Sequence, residues 1–147
     1  MITRKAFFCA ALAAILGVAL AACAGQPERG ADEIFRAVYD RFRGQLILDG
    51  ADSHVVVSGD TLHAISAARY GDGHFYPLIM LASSDVVLDP DRISPGMRLT
   101  VPDLQRNLDD PGARRALASF MREIADIEEE RGRRSAAEGM RAKADSL

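Results

Sequence analysis

Only two cysteines occur in the 147 residues, Cys9 and Cys23, and from Ala24 onward there is none. That long stretch can form no disulfide and offers no thiolate for a metal or for nucleophilic attack. Histidine is scarce as well. His54, His63 and His74 make no His-Glu-x-x-His pair, so zinc peptidase and Cys-His amidase chemistry lack their parts. His63, Asp72 and His74 follow no recognised ligand spacing and are expected as solvated side chains. Carboxylates are plentiful, but no segment is left over to build the deep cleft in which a glycosidase pair works. The formal charge of −3 lacks the basic excess that nucleic acid demands. Beyond the N-terminal segment no apolar run is long enough to span a bilayer. No catalytic residue, metal or cofactor is expected.

What the chain does have is concentrated between Ser53 and Asp103. The β-branched run Val55-Val56-Val57 stops at Ser58-Gly59-Asp60, a dense turn signal, so a short strand over His54–Val57 is predicted. Asp60 or Thr61 can cap the helix that follows, because a short oxygen side chain accepts from an orphan backbone N–H of the first turn. That helix runs from Leu62 to Tyr70 with Leu62, Ile65 and Ala68 on its inner face, and Gly71-Asp72-Gly73 ends it. Pro77 sits near the start of a second helix that buries Leu78, Ile79, Leu81 and Ala82. Asp89-Pro90-Asp91-Arg92-Ile93-Ser94-Pro95-Gly96 is the second turn, and Arg98–Val101 reads as the returning strand. Two strands so far apart in sequence pair only if both helices fold over one face. The expected unit is βααβ, an α+β arrangement with both turns at one end of the sheet.

This segment, 53–103, resembles a LysM module. The resemblance rests on the Gly59-Asp60-Thr61-Leu62 turn, Ile65, Tyr70-Gly71, Pro77, Ile79, Asp89-Pro90, Ile93, Pro95-Gly96 and Leu99-Thr100-Val101-Pro102. It departs at His54, where an aromatic is common, and at Ser83, where asparagine is common. LysM modules bind N-acetylglucosamine-containing glycans, peptidoglycan or chitin, in a shallow groove between the two turns. The resemblance implies one wall of Gly59, Asp60, Thr61 and Leu62 and a second of Leu88, Asp89, Pro90, Asp91 and Ile93. Turn backbone can pair with an N-acetyl amide, and Leu62 and Ile93 offer apolar surface to the acetyl methyl. Leu62, Ile79 and Leu99 are also expected in the core.

The N-terminus suggests where such a module would work. Arg4-Lys5 followed by the apolar stretch Ala6–Ala19 has the pattern of a signal peptide over residues 1–22. Leu20-Ala21-Ala22-Cys23 resembles a bacterial lipobox, which implies acylation of the Cys23 sulfur and cleavage before it. Each buried methylene of such a lipid contributes about 0.8 kcal/mol to membrane attachment. Loss of Arg4 and Lys5 with the leader takes the charge from −3 to −5. Residues 23–31, with Gly25, Pro27 and Gly30, read as a tether.

Helices are expected on both sides of the module. In 32–52, Ile34, Val38, Phe42 and Leu46 recur every fourth residue, with Phe35 and Tyr39 widening the stripe, so a helix over Asp32–Leu48 is predicted. In 104–147, Asp110-Pro111 starts a helix running to about Arg131, with Ala113, Leu117, Phe120, Met121, Ile124 and Ile127 inward. After Gly132 a shorter helix, Ser135–Asp145, places Ala137, Met140 and Ala144 inward. Ala125, Gly132, Ala137 and Ala144 are similar to one tetratricopeptide unit, with Glu128 where an aromatic is usual. A single unit cannot build a repeat stack, so a helical hairpin covering the module is the expectation. Glu128-Glu129-Glu130 with Arg131, Arg133 and Arg134 is expected as a solvated helix end.

The resulting expectation is a non-catalytic lipoprotein of the bacterial cell envelope, held on a membrane through acylated Cys23 and facing the periplasm or cell wall, that binds peptidoglycan glycan strands. An alternative makes it an envelope adaptor whose C-terminal helices hold a protein partner. A third follows from LysM-like cytoplasmic proteins that bind small ions, and requires Cys23 unmodified.

Overall fold

The structure, a computed structural model, describes residues 30–147. The leader, Cys23 and nearly all of the tether lie outside the described residues. Residues 31–147 carry six helices and one two-stranded sheet: α1 (Ala31–Phe42), β1 (Asp52–Val55), α2 (Leu62–Tyr70), α3 (Tyr76–Ala82), β2 (Arg98–Val101), α4 (Leu104–Asp109), α5 (Pro111–Glu130) and α6 (Arg134–Asp145). A 3-10 turn, Gly73–Phe75, leads into α3. This is an α+β architecture. Among the described residues no helix is long and apolar enough to cross a membrane.

β1 and β2 pair antiparallel, Asp52 opposite Val101 and Val55 opposite Arg98. Val56 N–H then donates to Met97 O and Gly96 N–H to Val56 O, so the pairing continues into both turns. The strand lies two residues earlier than the β-branched run predicts. Val55 and Val57 are exposed and only Val56 is buried. The reason is pairing: His54 stands opposite Leu99, and the core-facing side of the sheet is supplied mainly by Leu99 and Val101 of β2.

α2 starts and stops where its caps dictate. Thr61, not Asp60, accepts from Ala64 N–H, and Gly71 closes the helix at φ 77°, a left-handed conformation that favours glycine. Its inner face is Leu62, Ile65 and Ser66. Ala68 is exposed, contrary to expectation, because Ser66 turns inward to donate to Asp72 O at 2.7 Å. α3 is apolar nearly all round and buried nearly all round, with Leu78, Ile79 and Met80 at 0% exposure. Such a helix needs cover on every side. Ser83 at its end accepts from Thr100 N–H at 2.9 Å, which fastens α3 to β2.

That cover comes from the flanking helices. α1 ends at Phe42, earlier than predicted, and Gly44 at φ 83° turns the chain away. Its buried side is Phe35, Val38 and Tyr39, while Ile34 is exposed, so the apolar stripe is centred one position later than the four-residue repeat suggests. Tyr39 stacks near Phe120 of α5 with centroids 5.9 Å apart. α5 and α6 form the expected hairpin around Gly132 (φ 81°), with Ala137, Met140 and Ala144 buried between them and Ile127 only half-buried. α4 lies where the sequence predicts no helix. Asp103 caps it by accepting from Arg106 N–H, and Asn107 within it is fully buried. The Asn107 side chain accepts from Ile47 N–H and donates to Ile47 O, both at 2.9 Å, and so stitches the α1–β1 connection to the rest.

Asn107→Ala would leave both Ile47 backbone groups short of partners. It is expected to lower stability by about 2 kcal/mol, read as a lower urea midpoint at unchanged slope.

Candidate functional site

The two turns meet across one groove. Its first side is built by the connection from β1 to α2, its second by the long loop between α3 and β2. Gly59 adopts φ 94° with open space around it. Asp60 faces back into its own turn, accepting from Val57 N–H at 3.0 Å and pairing with His54 Nε2 at 2.8 Å. The His54 bond, joined by the Val57 N–H, holds the Asp60 carboxyl below the ordinary aspartate range. Thr61 is committed to its cap, and Leu62 is buried. On the second side Leu88, Pro90 and Ile93 are half-buried and Asp91 is exposed.

Asp89 is not an open acidic wall. It is 7% exposed, and its two oxygens accept from Arg131 Nη1 and Nη2 at 3.1 and 3.0 Å. This is the bidentate arrangement in which a guanidinium holds a carboxylate best. Asp91 N–H caps Asp89 at 3.0 Å, and Arg92 approaches at 3.7 Å. Burial pushes the Asp89 carboxyl up, but the bonds from Arg131 and Asp91 N–H, with the charges of Arg131 and Arg133, outweigh it and leave it below its usual value. The Arg131 guanidinium also lies 4.7 Å over the Phe35 ring. Arg133 donates to Asp91 at 2.5 Å and to Glu128, which is 3% exposed.

These pairs correct one expectation. Glu129, Glu130 and Arg134 are solvated, but Glu128, Arg131 and Arg133 are not. They are the clamp by which the α5–α6 turn grips the second side of the groove. Tyr39 assists from α1 by donating to Val87 O at 2.8 Å.

A cavity of about 250 Å³ lies in the groove. Of the nine residues expected to form the walls, Thr61, Leu62, Pro90 and Asp91 line it. Gly59, Asp60, Leu88, Asp89 and Ile93 do not, since they shape the turns or hold them from behind. The other lining residues are His63, Tyr76, Glu128, Arg133 and Ala136. The hairpin's share of that lining was invisible in the sequence because each contact crosses forty or more residues. The acidic block Glu128-Glu129-Glu130 beside Arg131 and Arg133 is its trace in the sequence.

His63 and His74 meet edge to face with centroids 5.5 Å apart, and Asp72 accepts from or bonds His74 Nδ1 at 3.0 Å while pairing with Lys143 at 2.7 Å. The Lys143 bond, opposed by burial and helped by His74, lowers Asp72 to about 2. Asp72 and His74 are half-buried against α6, which corrects the expectation of solvated side chains for these two, while His63 is exposed as expected. Among the described residues no group of three or more His, Cys, Asp or Glu could hold a metal ion.

No family model matches the chain, and no solved structure matches it at a significant level. An esterase of Mycobacterium tuberculosis, found in two strains, is 44% identical over 54 residues, which is 37% of this chain and 11% of the esterase. The potassium binding protein Kbp of Escherichia coli O6:H1 is 42% identical over 50 residues, 34% of either chain. This chain thus spans about a tenth of the esterases' length and about a third of Kbp's.

Removing Arg131 strands a nearly buried carboxylate. Arg131→Ala is expected to destabilise by about 3 kcal/mol in urea titration, against under about 0.5 kcal/mol for the solvated Arg134→Ala. Asp72 and Asp89 have depressed native pKa values, so their contribution is complete above the unfolded aspartate value of about 4 and is lost as pH falls through the native values. The urea midpoint should therefore drop below pH 4, down to about 2 where Asp72 protonates, and drop less steeply in Arg131→Ala.

Proposed function

We propose that residues 53–103 form a LysM-type module that binds N-acetylglucosamine-containing peptidoglycan, in a non-catalytic lipoprotein held at the bacterial cell envelope through Cys23. The observation that carries the reading is the juxtaposition of the two turns across one groove, beside an antiparallel two-stranded sheet. The partial matches support it. They run over 54 and 50 residues, close to this segment in length, in two otherwise different bacterial proteins. The groove chemistry also suits a neutral, hydroxyl-rich ligand: Arg133 is bonded to both Asp91 and Glu128, and Leu62, Tyr76 and Pro90 line the groove beside them. Peptidoglycan is preferred to chitin because the lipobox-like Leu20–Cys23 would place the module beside a cell wall.

One observation favours the adaptor reading as well. The hairpin is bonded to the second turn through Arg131 and Arg133, so part of the side that LysM modules leave open is taken up within the chain.

Co-sedimentation with purified sacculi tests the proposal. The full chain in mild detergent should pellet with sacculi as a control LysM protein does and stay in the supernatant without them. Failure to pellet beside a working control would reject glycan binding, and a defined envelope protein recovered by crosslinking in the same cells would then support the adaptor.

A further inference from the structure

The groove has a third wall, and one polar group on its floor has no partner. Tyr76 is 9% exposed, yet its hydroxyl makes no hydrogen bond among the described residues. Buried phenols ordinarily find one. Burial first, then the charges of Glu128 and Asp91, push this hydroxyl well above its ordinary pKa against the opposing Arg133 and Arg131, so it stays protonated and able to donate. Around it the two turns make two sides, and Glu128, Arg133 and Ala136 of the hairpin make the third. Arg133 is fixed there by Glu128 on one edge and Asp91 on another, so this side does not swing away easily.

An open groove lets a polymer enter and leave. The hairpin adds Glu128, Arg133 and Ala136 to the lining, so a strand lying between these turns meets it. The volume points the same way, since about 250 Å³ is below the roughly 300–1,000 Å³ of pockets that hold drug-sized ligands. That is room for one sugar ring.

We propose that this three-walled pocket binds the terminal N-acetylated sugar of a glycan strand, with the Tyr76 hydroxyl bonding a ligand oxygen and the hairpin stopping the strand. The inference rests on the glycan reading above and narrows it from strands in general to strand ends. The acetamido carbonyl and ring hydroxyls are acceptors of the kind a buried phenol donates to. Leu62 and Pro90 face the acetyl methyl and the ring. Glu128 and Arg133, already paired with each other, add no net charge that would select an ionic ligand.

Calorimetry of the full chain in detergent with N-acetylglucosamine oligomers from dimer to hexamer tests this, beside sacculi before and after brief muramidase cleavage. End recognition predicts affinities within about twofold across the series, and more binding sites per mass of cleaved wall. Tyr76→Phe, which removes an unpartnered hydroxyl and leaves the packing intact, should weaken the dimer about tenfold without lowering the urea midpoint. Affinity that climbs with every added sugar, while sacculus binding holds, would overturn end recognition and leave the glycan reading standing. Absence of binding to any oligomer and to sacculi would overturn both. Unchanged dimer affinity in Tyr76→Phe would remove Tyr76 from the site and with it the observation that led here.

Discussion

Arg131 holds Asp89, and much of the molecule is arranged around that bond. The loop between α3 and β2 has no regular structure and would be mobile if left to itself. It is held from behind by Tyr39 on its Val87 carbonyl and by the Arg131 fork on Asp89. The same guanidinium lies over Phe35 of α1, so one side chain ties together the first helix, the second turn and the hairpin. Neither charge would be tolerable alone in so dry a place, since a buried carboxylate without its partner costs several kcal/mol. The clamp is thus a condition on the fold: the hairpin must dock for the second turn to exist in this form.

The local parts of the fold were legible because their causes are local. Asp60 or Thr61 and the stop at Gly71 bound α2 in the sequence, Thr61 and Gly71 do so in the structure, and Asp110-Pro111 opens α5 where it reads that it should. β2 has its predicted ends. Where pairing or burial decides, sequence signals misled. The valine run suggested a strand two residues too far along, since β-branched residues fit a pleated surface but do not choose the register. α1 is shorter than its periodicity, since Gly44 turns the chain before Leu46 can continue the stripe. α4 lies between two stronger punctuation marks, Pro102 and Pro111, that mask so short a helix.

The candidate site divides along the same line. Its turns could be read from glycine, proline and capping residues. Its third wall could not, because Arg133 reaches a carboxylate 42 residues away and nothing in a charge run says whether it will be solvated or spent on a distant partner. His54 shows the converse. It bonds Asp60 and so organises the first turn by a polar contact that no charge or turn signal announces.

The hairpin is therefore part of the candidate site as well as part of the core. Amide chemical-shift mapping during titration with the N-acetylglucosamine dimer tests that most directly. The account predicts that Thr61 on the first turn, Asp91 on the second and Ala136 on α6 shift together with one saturation curve. Shifts confined to the two turns, with Ala136 and its neighbours still, would contradict it.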